Sequence, residues 1–130
     1  MAVTLNHTIV PAADHRAAAH FFASVMGLPE LPPAGRQGHF APVRVNETLT
    51  LDFMTVPDAE GHHLAFDVDP ETFDGILTRL QAAGVPYGND PAAPDNGRTD
   101  HQLCGRALYF RDDSLNLYEV MSRDGVVPRD

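Results

Sequence analysis

Two stretches decide how this chain folds: LNHTIVPAAD at residues 5–14 and GHHLAFDVDP at residues 61–70. Each sets one histidine, His7 or His63, in a short apolar run of strand character, and each run leads to an aspartate suited to open a helix. After Asp14, Ala18, Phe21, Phe22 and Val25 recur at helical spacing, and Gly27 followed by Pro29 supplies a stop. After Asp69, Pro70 takes the first helical position and Glu71 suits the helix dipole. Phe73, Ile76, Leu77 and Leu80 form the stripe, and Gly84 ends it. Each half then closes on a strand carrying an acid, LTLDF with Asp52 and LNLYEV with Glu119.

Working outward, residues 3–10 alternate as a strand, and LPELPPAGRQG (28–38) is a loop by its prolines and glycines. HFAPVRV (39–45) and TLTLDFM (48–54) are strands joined by a turn at Asn46-Glu47. In the second half HHLAFDV (62–68), GRALYFR (105–111) and LNLYEVM (115–121) are strands, with a turn at Asp112-Asp113-Ser114. YGNDPAAPDNGR (87–98) is the longest irregular stretch, a candidate lid, and GVVPRD is a tail. The pattern is βαβββ twice, an α+β class. The expected architecture is two modules, about 3–57 and about 61–123 of a single 1–130 domain, forming a curled mixed sheet around a central cleft with the helices outside.

Parity refines this, because side chains alternate across a strand. Thr8 and Val10 oppose His7; Leu64, Phe66 and Val68 oppose His63; Leu51 and Phe53 oppose Asp52; Tyr118 and Val120 oppose Glu119. All four polar residues therefore point away from the helices, whereas His62 has the wrong parity and is expected to be exposed. An ionised Glu119 among Leu117, Tyr118, Val120 and Met121 costs several kcal/mol without a partner. A metal ion or a charged histidine removes that cost. Two imidazoles and a carboxylate suit Fe(II), Mn, Zn, Ni or Co and leave positions open for substrate. Asp52 would make a fourth ligand. His39 and His101, on or near strands, are candidates for proton transfer, as is Glu119; Arg98 and Arg106 are candidates for an anionic substrate group. His15 and His20 are expected on the solvated side of the first helix, and Cys104 as a passive thiol.

Composition narrows the function. An apolar fraction of 43% with 21% charged residues is that of a folded soluble domain rather than a disordered chain. A net charge of −9 argues against nucleic acid, which needs clustered Lys and Arg. No apolar run approaches the roughly 18 residues of a membrane span. Without a recognisable signal peptide, and with a single cysteine that excludes an internal disulfide, the expected location is cytoplasmic.

LNHTIVPAAD…FFASVMGL, HHLAFDVDPETFDGIL…LQAAGVPYGNDP and GRALYFRDDSLNLYEVM together resemble the vicinal oxygen chelate superfamily, the glyoxalase/bleomycin-resistance/dioxygenase group. The last stretch is similar to that family's G-x-x-Y-F-x-D-P-x-G-N-x-x-E ending, with Asp113-Ser114-Leu115 in place of the Pro-x-Gly turn. The resemblance implies metal ligands at His7, His63 and Glu119. Asp52 falls near the position of a further acidic ligand, usually glutamate. It also implies one divalent metal per site, a small oxygen-chelating substrate and a homodimer. The expected activity is that of a glyoxalase-like lyase or isomerase or a ring-cleaving dioxygenase. The alternative is a metal-free protein that sequesters a drug or metabolite.

Overall fold

A computed structural model describes residues 2–102 and 105–122. Cys104 and the GVVPRD tail lie outside the described residues. The chain divides into two units, residues 1–62 with 112–115, and 63–111 with 116 onward. The architecture is mixed α+β, with two helices and two small sheets and no closed barrel among the described residues.

In the first unit β1 (His7–Ala12), α1 (His15–Met26), β2 (Phe40–Arg44) and β3 (Thr50–Thr55) follow in order, and the sheet runs β1-β3-β2. β1 lies parallel to β3 and β2 antiparallel to it. The strand predicted over 3–10 begins later, at His7, and runs on to Ala12. Its ladder exists only where β3 supplies partners, and the Thr50 N–H to the Asn6 carbonyl is its outermost bond. Pro11 is tolerated because β1 is an edge strand of its sheet. α1 starts as the sequence predicts. The Asp14 carboxylate accepts from the N–H groups of Arg16 and Ala17, and Gly27 closes the helix at φ 70°. Its buried stripe of Ala18, Phe22, Val25 and Met26 lies in the same core as Val10, Val43, Leu51 and Phe53, with the Phe22 and Phe53 rings 5.8 Å apart. A third strand after the helix does not form. Residues 29–34 run beside β2 but make only isolated bridges, Glu30 to Val43 and Ala34 to Phe40, since Pro29, Pro32 and Pro33 have no N–H to give. The loop also holds a short 3₁₀ turn, Arg36–Gly38.

The second unit holds β4 (His63–Asp67), α2 (Pro70–Ala83), β5 (Asp100–His101), β6 (Gly105–Arg111) and β7 (Leu117–Ser122), in the sheet order β4-β7-β6-β5. β4 is parallel to β7, and the other neighbours are antiparallel. Asp69 caps α2 through the Thr72 N–H, Pro70 sits at its first turn, and Gly84 ends it at φ 68°. Phe73, Ile76 and Leu80 are buried, as are Leu108, Phe110, Tyr118 and Val120. The two-residue β5 lies between the loop read over 87–98 and the strand read from Gly105, and it is too short to show a period of its own. The predicted lid is fastened: Gly88 exchanges backbone hydrogen bonds with Tyr109 at 3.1 and 2.7 Å. Gly88 has to be glycine, because a Cβ there would lie 2.5 Å from the Ala93 carbonyl oxygen.

Candidate functional site

Register turns each sheet into a grid. On the face of the second sheet turned away from α2, His63, Leu117 and Arg111 form one cross-strand row, Ala65, Glu119 and Tyr109 the next, and Asp67, Met121 and Ala107 a third. The opposite face carries Leu64, Phe66, Leu108, Phe110, Tyr118 and Val120, which is the alternation the sequence predicts. In the first sheet the corresponding face reads His7, Thr50, Arg44; then Ile9, Asp52, Pro42; then Pro11, Met54, Phe40. The two grids match at the histidine, the central acid, the end-of-row arginine and the methionine.

Within the second unit two predicted ligands meet. His63 Nε2 donates to Glu119 Oε1 at 2.9 Å. Glu119 is the guarded half of the pair, its side chain 14% exposed against 52% for His63. Tyr109, buried and directly opposite Glu119, brings its ring to 6.2 Å from that of His63. Within the first unit His7 and Asp52 share a face but not a contact. Nδ1 of His7 donates to Asn6 Oδ1 at 2.8 Å, which leaves Nε2 with its lone pair. The glutamate reaches its histidine from the neighbouring row; the aspartate, one methylene shorter, does not. Among the described residues no group of three His, Cys, Asp or Glu side chains is gathered at metal-binding spacing.

The His63–Glu119 pair has the spacing a metal requires. Two donor atoms each about 2.1 Å from one ion and at right angles to each other stand about 3 Å apart. The Asn6–His7 bond is of the kind that fixes a ligand histidine's tautomer.

The other candidates are placed differently. His101 lies on the same face as Glu119 but beside Gly105, four residues along β6 from Tyr109, or about 13 Å. It borders an open cavity of about 460 Å³ with Asn89, Arg98 and Asp100. His39 is exposed in the first unit, donates from Nδ1 to the Arg36 carbonyl and sets its ring 4.0 Å from that of Phe40, tilted by 40°. Of the proposed anion holders, Arg106 turns to the helix side, ion-paired to Asp74 at 2.6 Å and lying over the Phe73 ring. Arg98 is engaged by Asp100 at 3.1 Å, and that guanidinium holds the Asp100 carboxyl below its usual range. His15, expected to be solvated, is a structural tie. Its backbone N–H donates to Thr55 Oγ1, Nδ1 meets the same hydroxyl at 2.7 Å, and Nε2 donates to the Gly38 carbonyl. Nothing in the helical period marks that role, because Thr55 and Gly38 are remote in sequence. His20 is solvated, as expected, beside Glu30.

Fold and face together define a two-repeat α+β protein whose sheets each carry a histidine and an acid on the side away from the helix. No protein-family model matches the chain, and no curated protein matches it. Among solved structures the oxidase ChaP-H2 is 36% identical, with 97% of this chain and 98% of that one covered at a TM-score of 0.86. The oxidase ChaP-H1 is 35% identical over 94% and 97%, at 0.85. A glyoxalase/dioxygenase from Nostoc punctiforme, 21% identical over 92% and 90% at 0.70, shares the fold. The chain belongs to the vicinal oxygen chelate superfamily.

Proposed function

We propose that this chain is a divalent-metal-dependent oxidase acting on a small substrate that carries two adjacent oxygens. The observation that carries the reading is the His63–Glu119 pair, held at 2.9 Å on the face away from the helix. Likeness to two proteins named oxidases, above a third in identity along nearly the full chain, favours oxidation over the lyase and isomerase chemistries of the superfamily. The ligands in this reading are His63, Glu119 and His7, the repeat mate of His63. Asp52 is left out of the set for want of reach. When bound, the ion would act as a Lewis acid and lower the pKa of a coordinated hydroxyl.

The chain's own groups supply the rest. Without an ion Glu119 Oε1 accepts the His63 N–H; were an ion to take His63 Nε2 and Glu119 Oε1, Oε2 would be the carboxylate atom left to accept a proton from a substrate hydroxyl. Leu117 and Met121 flank Glu119 on its own face and give the carboxylate apolar neighbours. The buried Tyr109 supports the pair from β6. The reading includes a homodimer: β1 and β4 are edge strands of their sheets, and Val3, Leu5 and Ile9 are exposed.

The test is metal content of protein purified without chelators, followed by oxygen uptake with catechols set against lyase assays with 2-oxoaldehyde–thiol adducts. Stoichiometric metal, lost in His63→Ala and Glu119→Gln together with oxygen uptake, is the expected result. Metal binding unchanged in both variants sinks the reading. A metal-free protein that holds a small molecule without turnover would make it a sequestering protein.

A further inference from the structure

Arg111 ends the row that His63 begins. Two strand spacings separate them, which puts their backbones about 10 Å apart across one face. Arg111 is exposed, and no hydrogen bond or ion pair engages its side chain among the described residues. Its neighbours in the unit are committed, Arg98 to Asp100 and Arg106 to Asp74. Its repeat mate Arg44 is turned back onto the Glu47 carbonyl at 3.5 Å. Arg111 instead borders a cavity of about 390 Å³ whose other walls are Pro86, Ala92, Pro94 and Asp95. That volume falls in the range of small-ligand sites, and proline and alanine walls suit a flat apolar body.

We propose that Arg111 is a specificity-determining residue that takes a carboxylate of the substrate. Resting on the vicinal-oxygen reading above, this makes the substrate class an aromatic acid, with its two adjacent oxygens at the His63–Glu119 end and its carboxylate at the Arg111 end. The guanidinium presents a planar fork of N–H donors that a carboxylate accepts in two places. Asp95 on the same cavity repels the carboxylate and sets a limit to its affinity.

Three probes separate the parts: catechol has the two oxygens, benzoate has the carboxylate, and 3,4-dihydroxybenzoate has both. NMR titration of the whole protein follows the Arg111 Nε–H and the His63 ring. Arg111→Gln is expected to weaken 3,4-dihydroxybenzoate and benzoate about tenfold or more while changing catechol less than about twofold. Arg111→Lys keeps the charge without the fork and should fall between. Asp95→Asn should tighten both acids and leave catechol alone. Arg111 is exposed, and an unchanged melting temperature confirms that the variants fold. The proposal is overturned if Arg111→Gln weakens all three probes alike or leaves the acids unchanged. If catechol leaves His63 undisturbed while benzoate still depends on Arg111, the vicinal-oxygen reading fails and the carboxylate site stands.

Discussion

Asp69 shows how a single side chain ties helix geometry to pH. Its carboxylate accepts first from the Thr72 backbone N–H and then from the Thr72 hydroxyl, and both bonds hold its pKa below the ordinary value. The unfolded chain therefore takes up the proton more readily than the folded one. The cap's contribution is complete above the usual carboxylate range and is lost as pH falls through the lower folded value. Melting temperatures followed from pH 6 to pH 2.5 should fall more steeply in wild type than in Asp69→Asn, which caps without titrating. Asp69→Ala should melt a few degrees lower even at pH 6; parallel curves for wild type and Asp69→Asn would remove Asp69 from the acid response. Asp69 is legible in the sequence because a cap is a local device: an aspartate, a proline and a glutamate in consecutive positions. Parity made the facing of His7, Asp52, His63 and Glu119 legible for the same reason. His15 was not, since its partners Thr55 and Gly38 come from elsewhere in the chain. The placing of Arg106 is not legible either, because its Asp74 and Phe73 partners belong to α2, which no strand pattern reveals.

Among the elements, the β6–β7 turn carries the clearest strain. Leu115 has a φ of 65°, a left-handed conformation that costs an L-residue about 1–2 kcal/mol. It is also 67% exposed, so little apolar burial offsets the cost. It occupies the glycine place of the Pro-x-Gly turn that this ending otherwise resembles. The turn is held by Ser114 N–H donating to Asp112 Oδ1 and by the Leu115 N–H to the Asp112 carbonyl. Leu115→Gly relieves the strain and gives back part of the gain as unfolded-chain entropy, for a net stabilisation of about 0.5–1 kcal/mol. Chemical denaturation measures it, and a midpoint at or below wild type would mean that Leu115 makes up its backbone cost through contacts. Helices and strands repeat a period over many residues, which is why α1 and α2 came out of the sequence with their caps in place. The 29–34 stretch and β5 did not, because a proline-broken edge and a two-residue ladder leave no period to read.

Across the whole molecule the repeat is what joins fold to chemistry. Each sheet sets a histidine on an edge strand, an acid on its central partner one row on, and an arginine at the far end of the histidine's row. The halves have diverged in how that plan is used: Glu119 reaches His63, Asp52 does not reach His7, and Arg111 opens onto a cavity whereas Arg44 turns back onto the Glu47 carbonyl. The histidine and the acid of each half are legible in the sequence; the arginines and the divergence are not, since they depend on strand register, on the length of a side chain and on what the loops leave uncovered. If His7, His63 and Glu119 act on one ion, that ion binds the folded chain and stabilises it by mass action. At a hundredfold excess over its Kd the gain is about 2.7 kcal/mol, or about 10 °C in melting temperature for a chain of this length. His7→Ala, His63→Ala and Glu119→Gln should each melt close to the metal-free wild type, because His63 is half exposed and such a pair adds little more than about 1 kcal/mol. All three should lose most of the metal-induced rise, whereas Asp52→Asn should keep it. A rise that survives in His7→Ala but not in His63→Ala would confine the ion to the second unit and leave His7 as a vestige of the repeat.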